Sequence, residues 1–182
     1  NFIFCLGYKS KQLKKFLLKK TSHSIFSDAG LNAGILKRIF FTRKYLKDFT
    51  VISYGDTLAK INFKDLIANH KKSNRKMTIV VAPIQNPFGL VKWNLKNEAL
   101  SFEEKPILNH YIGYAVISHN FFDSINKREI NSKDGKGIIQ AIKNLILKKQ
   151  VNIYKFNRLQ ITINSPEELK YARLNYKKYF TF

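Results

Sequence analysis

Short apolar segments alternate with longer segments of helical spacing along the 182 residues, and this alternation constrains the fold more than any other feature. The clearest strand is 49–54, Phe-Thr-Val-Ile-Ser-Tyr, whose β-branched and aromatic run is typical of a strand buried on both faces. Other strands are predicted at 2–6, 24–27, 76–82, 111–117, 151–156 and 159–163. Helices are predicted between them at 9–20, 34–46, 63–73, 119–126 and 138–149, and from Pro166 onward. Such alternation indicates a mainly parallel sheet that helices cover on both faces.

One stretch departs from the alternation. Residues 88–93 and 98–103 are two short strand-like segments with a brief connection, which is typical of a β-hairpin. Trp93 is expected to pack against this hairpin, and Pro106 biases Lys105 toward an extended conformation. The overall prediction is therefore an α/β fold with a Rossmann-like, mixed and mainly parallel sheet, helices on both faces and a small β-hairpin insertion.

The composition describes a basic globular chain. Apolar residues make up 45%, which is enough for a core, and the length suits a single domain over 1–182. The 33 Lys and Arg outweigh the 12 Asp and Glu and give a net charge of +21. Only six of the basic residues are Arg, the side chain favoured for base recognition, and Lys recurs on nearly every predicted helix. We therefore expect solvated helix faces rather than a nucleic-acid partner, with attraction of small anions such as nucleotides left open.

Some functional classes are excluded by what the sequence lacks. A single cysteine, Cys5, cannot form an intrachain disulfide and is expected in the core. The four histidines have no metal-ligand spacing and are expected to be exposed or partly buried. No apolar run approaches the roughly 18 residues of a membrane-spanning helix, so no membrane partner is predicted.

Asp56 is the strongest candidate for chemistry because it directly follows Gly55 at the end of the clearest strand. In open α/β sheets, ligands bind beyond the carboxyl ends of the strands. A carboxylate at that place can hold Mg²⁺ against a phosphate, since Mg²⁺ commonly takes one or two carboxylates plus substrate oxygens. The alternative is that Asp56 only caps the following loop through an Asx-turn.

Two further segments suit anion binding. The loop 28–34 carries Gly30 and Gly34 ahead of a helix with Lys37, and a glycine-bearing loop at a helix N-terminus suits a phosphate. Glu104-Lys105 at the end of the hairpin places a cation where it could meet a phosphate. An ordinary loop and an ordinary surface hairpin end are the alternatives.

Taken in order, three segments resemble the sugar-1-phosphate nucleotidylyltransferases, closest in form to glucose-1-phosphate cytidylyltransferases. They are 28–38 (Asp-Ala-Gly-Leu-Asn-Ala-Gly-Ile-Leu-Lys-Arg), Tyr54-Gly55-Asp56 and 102–106 (Phe-Glu-Glu-Lys-Pro). The resemblance implies transfer of a nucleotidyl group from a nucleoside triphosphate to a sugar 1-phosphate, with Mg²⁺ as cofactor. It also implies a cytoplasmic enzyme that makes nucleotide-sugars for polysaccharide biosynthesis; whether the chain is a homo-oligomer stays open.

The resemblance also implies roles for individual residues. It implies that Asp56 and Lys105 are catalytic and that Asp56 and Asn164 bind the metal ion. It implies nucleotide contacts for Gly30, Gly34, Lys37 and Gly55, and substrate contacts for Glu104, Lys105 and Gly113.

The chain departs from the family pattern at both ends. The family begins with a strand and a glycine-rich loop that grips the triphosphate, whereas Gly7-Tyr8-Lys9 resembles the family's second strand and helix. The resemblance thus implies an N-terminally truncated domain that lacks its first strand–loop–helix unit and has weak or no activity. Near the C-terminus, Thr162 or Asn164 stands where the family has a metal-binding Asp. The alternatives are a non-catalytic homologue that binds nucleotide or sugar phosphate and, less favoured, a basic nucleic-acid-binding protein.

Overall fold

The computed structural model describes residues 2–180, except for the side chains of residues 178 and 179, and these residues form ten strands and six α-helices. The strands are β1 (Phe2–Leu6), β2 (Ser24–Asp28), β3 (Phe49–Ser53), β4 (Thr57–Ala59), β5 (Met77–Gln85), β6 (Leu90–Trp93), β7 (Ala99–Glu103), β8 (Ile107–Ser118), β9 (Val151–Lys155) and β10 (Gln160–Thr162). The helices are α1 (Ser10–Leu18), α2 (Ile35–Phe41), α3 (Phe63–Ser73), α4 (Lys127–Ile130), α5 (Lys136–Leu147) and α6 (Pro166–Tyr179). Within residues 2–180, no helix has the length and apolarity that a membrane crossing requires.

The described residues divide into two compact units. The first comprises 2–50, Ser73–Met77 and Ile117–Val151; the second comprises Val51–Lys72, Thr78–Val116 and 152–180. The single domain over 1–182 remains a prediction.

In the first unit, β1 and β2 pair in parallel, with Phe2 opposite Ser24 and Leu6 opposite Asp28. The first unit buries apolar side chains mainly from its helices and from the turn before α4, namely Leu36, Ile39, Phe121, Phe122, Ile138, Ala141 and Leu145. Glu129 is buried among them, and its carboxylate accepts hydrogen bonds from the Asn126 N–H at 2.9 Å and from the Asn144 amide. A buried carboxylate is tolerated because these donors replace water.

A four-stranded sheet with the order β3-β8-β5-β9 lies largely in the second unit. Its central strands carry long apolar runs, and residues 77–82 and 112–117 are buried throughout. Strands buried on both faces read as continuous apolar segments for this reason. The core of the second unit consists of Ile61, Leu66, Val80, Ala82, Ile112, Tyr114, Val116 and Phe156. Two antiparallel pairs, β4–β10 and β6–β7, accompany the parallel pair of the first unit, so the predicted mixed α/β class is confirmed.

A buried histidine links α3 to the sheet. His70 is only 1% exposed, and its Nδ1 lies 2.8 Å from the hydroxyl of Thr78. Asn152 donates from its amide to Asn69 and, at 3.4 Å, to the same hydroxyl. The expectation that every histidine is exposed or partly buried is therefore wrong for His70, because folding brings its ring onto β5, where the Thr78 hydroxyl replaces water as its partner.

Three parts of the structure differ from the sequence prediction. The segment predicted as a helix at 119–126 is a 3-10 turn, His119–Ser124, and α4 (Lys127–Ile130) lies where neither a helix nor a strand was predicted. The reason is the capping box at Asn126 and Glu129, which starts a new helix there. Strand β4 was not predicted, because it exists through pairing with β10, about a hundred residues away.

The apolar residues of β1 are more exposed than their sequence suggests. Phe2 and Cys5 are exposed and Leu6 is buried, although an uninterrupted apolar run is typical of a buried strand. Among residues 2–180, β1 pairs with β2 alone, and this single neighbour leaves its other flank open. Cys5 is thus not the core residue that its apolar surroundings predicted.

Candidate functional site

Gly55 and Asp56 form the tight turn between β3 and β4, and hydrogen bonds fix both sides of this turn. The Tyr54 N–H donates to the carbonyl of Gly113 at 3.0 Å, and the Asp56 carbonyl accepts from the Ile163 N–H at 2.8 Å. Asp56 itself is exposed, and its carboxylate accepts a 3.3 Å hydrogen bond from the Thr57 hydroxyl. The structure therefore holds an exposed carboxylate on a fixed backbone at the carboxyl end of β3.

Gly113 supports this turn from the neighbouring strand. Its φ of +79° favours glycine, and a Cβ at this position would lie 3.0 Å from the Tyr54 ring. The Tyr54 and Tyr111 rings meet edge to face at a centroid distance of 6.0 Å. Burial raises the pKa of both phenols, so both hydroxyls stay protonated at neutral pH. The predicted substrate role of Gly113 remains a prediction; the structure gives this glycine a role in seating Tyr54 beside Asp56.

The pairing of β4 with β10 brings the second predicted metal ligand close to the first along the backbone. Thr57 lies opposite Thr162, and Asp56 bonds to Ile163, the residue before Asn164. Asn164 is exposed, and its N–H donates to the carboxylate of Glu168 in the capping region of α6. Asp56 and Asn164 are therefore neighbours through a contact that joins residues over a hundred positions apart.

The donor chemistry at this place fits Mg²⁺ only when a ligand completes the shell. Among residues 2–180 there is no group of three or more His, Cys, Asp or Glu side chains that could enclose a metal ion. Asp56 offers one carboxylate and Asn164 one amide oxygen. Because Mg²⁺ is commonly bound through one or two carboxylates together with phosphate oxygens and water, the set suits an ion shared with a phosphate.

Glu104 and Lys105 lie at the bend between β7 and β8 in the second unit. Both side chains are more than half exposed, and Lys105 Nζ is 3.9 Å from Glu104 Oε1. Lys105 adopts a φ of +45°, so the expectation of an extended conformation before Pro106 is wrong. The chain must reverse here to enter β8, and the left-handed conformation accomplishes that reversal at some cost in strain. No hydrogen bond or ion pair joins Lys105 to Asp56 among the described residues.

Gly30 lies in the first unit, in the loop after β2. Its N–H donates to the Asp28 carboxylate at 2.9 Å, and its φ is +93° with open space where a Cβ would stand. Asp28, Gly30 and Leu31 line an open cavity of about 470 Å³ together with Gly7 and residues 9–12 at the start of α1. Two lysines, Lys9 and Lys11, and one aspartate, Asp28, line this cavity, so its net charge is positive, and the N–H groups of a helix N-terminus suit an anion.

Sequence reasoning did not single out residues 9–12, although the same pattern of a glycine before a helix was recognised at 28–34. Arg38 was also missed as a structural residue. Its guanidinium donates to the carbonyls of Leu6 and, at 3.1 Å, Leu31, and it lies against Gly7, where a Cβ would overlap it. Arg38 therefore joins the end of β1 to the Gly30 loop.

Gly34 and Lys37 lie at the start of α2, also in the first unit. Gly34 is buried, and a Cβ there would be 2.3 Å from the carbonyl oxygen of Ser132. The next N–H, of Ile35, donates to the Asp134 carbonyl at 2.9 Å. Close packing against Ser132 explains why a glycine occupies position 34. Lys37 is half-buried, and a nucleotide contact of either residue remains a prediction.

The chain is similar to known proteins over most of its length. A family model described as nucleotidyl transferase matches residues 11–160. A probable glucose-1-phosphate cytidylyltransferase of Bacillus subtilis (strain 168) is 25% identical over 182 residues, which covers 85% of this chain and 69% of that protein.

Two solved structures share the fold. HddC from Yersinia pseudotuberculosis, complexed with GMP-PN, is 16% identical with a TM-score of 0.68, covering 96% of this chain and 78% of that one. A putative glucose-1-phosphate thymidylyltransferase from Bacillus anthracis, in complex with a sucrose, is 13% identical with a TM-score of 0.69. The match covers 94% of this chain and 74% of that one. The enzyme class predicted from the sequence, a nucleotidyltransferase, is confirmed. The family match extends over most of the sequence, and the chain therefore belongs to the nucleotidyl transferase family.

Proposed function

We propose that this protein transfers a nucleotidyl group from a nucleoside triphosphate to a sugar 1-phosphate. A phosphate oxygen of the sugar attacks the α-phosphorus, the bond between the α-phosphorus and the bridging oxygen breaks, and pyrophosphate leaves as the nucleotide-sugar forms. The observation that carries the proposal is the exposed Asp56 carboxylate on the fixed turn after β3, in a member of this enzyme family. The relative named as a glucose-1-phosphate cytidylyltransferase supports the choice of substrates.

The reaction brings two anions together, so the site must supply positive charge and orientation. We assign Lys105 to the sugar phosphate, as an exposed ammonium acting as a point charge, and Glu104 and Gly113 to further substrate contacts. Nucleotide contacts are assigned to Gly30, Gly34, Lys37 and Gly55. The positively charged cavity around Gly30 supports the nucleotide assignment.

Asp56 and Asn164 would hold Mg²⁺, which when bound polarises the phosphoryl oxygens and neutralises part of the triphosphate charge. Only one of these two ligands carries charge. Because an amide oxygen attracts a divalent cation less than a carboxylate does, we expect half-maximal activity to require a higher free Mg²⁺ concentration than a site with two carboxylates would.

The proposal extends to the place of the reaction and to the use of its product. A nucleotide-sugar is an activated glycosyl donor, so a glycosyl transfer that builds a polysaccharide is the class of reaction that would consume it. Nucleoside triphosphates are supplied in the cytoplasm, where we propose that the protein acts.

The first test is the release of pyrophosphate, together with chromatographic detection of the nucleotide-sugar. Glucose 1-phosphate is offered with CTP, dTTP, GTP and UTP in turn, over a range of Mg²⁺ concentrations. Asp56→Asn keeps the shape of the side chain and removes its charge, and we expect a loss of about 100-fold or more in turnover.

Asp65→Asn is the matched control, because the Asp65 carboxylate is also exposed in the second unit but lies in the first turn of α3, where it accepts a hydrogen bond from the Asn62 amide. It should retain most of the activity. Binding of Mn²⁺ in the presence of the triphosphate, followed by electron paramagnetic resonance, should weaken in Asp56→Asn alone. Near-normal turnover and Mn²⁺ binding in Asp56→Asn would remove Asp56 from the mechanism.

A second candidate function is binding of nucleotide or sugar phosphate without turnover. The observation that favours it is the single carboxylate at the proposed metal position, where Asn164 supplies no charge. Calorimetric binding of a triphosphate or of glucose 1-phosphate, with no pyrophosphate released at any Mg²⁺ concentration, would select this candidate over the enzyme.

A further inference from the structure

Tyr114 is an aromatic residue of the second unit that buries a polar group. It lies in β8, is 7% exposed, and packs its ring against the ring of Phe63 at a centroid distance of 6.4 Å. Trp93 in the same unit does the opposite. It is 68% exposed on a two-stranded layer, so the expectation that it packs against the hairpin is wrong. The buried hydroxyl of Tyr114 needs a hydrogen-bond partner, because water no longer solvates it.

The partner of the Tyr114 hydroxyl is the backbone next to Asp56. The hydroxyl donates to the carbonyl of Thr57 at 2.7 Å, in a buried contact between residues 57 positions apart. This distance is the usual length of a hydrogen bond between two oxygen atoms. Because burial fixes the Tyr114 ring, its hydroxyl also fixes the Thr57 carbonyl. Tyr114 therefore anchors the residue that directly follows Asp56.

Two consecutive residues of β8 hold the Asp56 turn from both sides. The carbonyl of Gly113 accepts the Tyr54 N–H at 3.0 Å, before the turn. The hydroxyl of Tyr114 donates to the Thr57 carbonyl, after the turn. The position of Asp56 along the edge of the sheet is therefore set by β8, a strand buried in the core of the second unit.

The side chain of Thr57 extends this support to the Asp56 carboxylate. Thr57 is 5% exposed, and its hydroxyl donates to Asp56 Oδ1 at 3.3 Å. The Thr162 hydroxyl lies 3.5 Å from the Thr57 hydroxyl and can donate to it, since the single Thr57 proton points to the carboxylate. A buried hydroxyl thus orients an exposed carboxylate, while its long hydrogen bond leaves that carboxylate available to a cation.

We propose that Tyr114 is a positioning residue, which acts through Thr57 to hold the Asp56 carboxylate in the orientation that binds the metal ion. The inference rests on the proposed function, because it assigns a support to the metal ligand named there. Groups that orient metal ligands typically contribute 10–100-fold to metal affinity or to activity. The hydroxyl alone carries this role, so it can be removed without removing the ring.

Tyr114→Phe makes that removal. Mn²⁺ binding in the presence of CTP, dTTP, GTP or UTP is followed by electron paramagnetic resonance, and turnover is measured against Mg²⁺ and against glucose 1-phosphate. We expect Mn²⁺ affinity to fall about tenfold and the Mg²⁺ concentration for half-maximal turnover to rise about tenfold. The KM for glucose 1-phosphate should stay within about twofold, because Lys105 is assigned to that substrate. A general disturbance of the site would change all three quantities.

Two variants of Thr57 test the connection. Thr57→Val keeps the branched shape and removes the hydroxyl, so it should weaken Mn²⁺ binding as Tyr114→Phe does. Thr57→Ser keeps the hydroxyl and should restore most of the affinity. Tyr154→Phe is the matched control, because Tyr154 packs half-buried against the same core from β9, at the opposite edge of the sheet from β3. It should leave Mn²⁺ affinity unchanged, and circular dichroism verifies that all variants are folded.

A double variant separates positioning from general stability. If Tyr114 acts through Asp56, then Tyr114→Phe should cause no further loss of Mn²⁺ affinity once Asp56→Asn has removed the charge. Two residues that act independently would instead show losses that add.

The outcomes distinguish this inference from the proposed function. Normal Mn²⁺ binding in Tyr114→Phe, with a loss in Asp56→Asn, would overturn the positioning role and leave the proposed function intact. Additive losses in the double variant would overturn it as well. Normal Mn²⁺ binding in both single variants would overturn the metal position together with its support. Coupled losses of Mn²⁺ affinity in a chain that releases no pyrophosphate would support the positioning role and reject the enzyme activity.

Discussion

The turn after β3 and the loop after β2 look alike in sequence but are built differently. Each follows a strand and combines a glycine with an aspartate. In the β2 loop, the Asp28 carboxylate accepts the Gly30 N–H at 2.9 Å, so this side chain closes its own turn. In the β3 turn, the backbone is held by Gly113 and Ile163 instead, and the Asp56 carboxylate is left exposed.

The comparison favours Asp56 over Asp28 as the candidate for chemistry. The Asx-turn that was the alternative explanation for Asp56 is found at Asp28. One oxygen of the Asp28 carboxylate closes its own loop, whereas neighbouring strands fix the turn at Asp56, so the Asp56 carboxylate takes no part in closing that turn. The difference depends on contacts with residues far along the chain, and the two short motifs alone do not reveal it.

The largest effect on stability is expected at Gly113, which supports the β3 turn. Gly113→Ala combines a positive φ with a contact of 3.0 Å to the Tyr54 ring. We therefore expect the free energy of unfolding to fall by about 2–4 kcal/mol. Urea unfolding followed by circular dichroism measures this loss. Gly55→Ala is the control, because a Cβ there meets open space, and its effect should stay within about 0.5 kcal/mol. Equal effects of the two substitutions would mean that Gly113 does not support the turn.

A smaller effect is expected at Gly30 in the β2 loop. Gly30→Ala introduces the strain of a positive φ, but its Cβ would contact no other residue. We therefore expect the free energy of unfolding to fall by about 1–2 kcal/mol. Gly30→Asn should recover part of it, because Asn tolerates the left-handed region. Gly113→Asn should recover none of the stability lost in Gly113→Ala, since the larger side chain meets the Tyr54 ring. Recovery at both positions would remove the distinction between a strained glycine and a packed one.

The sequence predicted most of the fold because its signals are local. The continuous apolar runs of β5 and β8 and the Ser165-Pro166 start of α6 identify their elements without reference to the rest of the chain. Strand β4 could not be found in this way, since its three residues become a strand only by pairing with β10. The same contact brings Asp56 next to Asn164, so the candidate metal position is also a long-range product of folding.

Conformation at single residues was harder to predict than the elements. Lys105 precedes a proline, which favours an extended backbone, yet the reversal into β8 imposes a φ of +45°. Gly34 stood in a loop pattern typical of phosphate contact, but its lack of a side chain serves close packing against Ser132. In both cases tertiary contacts override the local preference.

The buried His70 couples folding to the uptake and release of protons. Burial lowers the pKa of its imidazole, so the folded chain holds the ring neutral, while the unfolded chain takes up a proton below its ordinary pKa of about 6.5. The contribution of His70 to stability is therefore complete above about pH 6.5 and declines on acidification toward the lowered pKa of the folded state. Thermal unfolding at pH 7.5 and 5.5 should show a smaller pH dependence for His70→Gln than for the parent chain, and an unchanged dependence would contradict this coupling. His23, His110 and His119 are exposed and are shared by both proteins, so the difference reports on His70 alone.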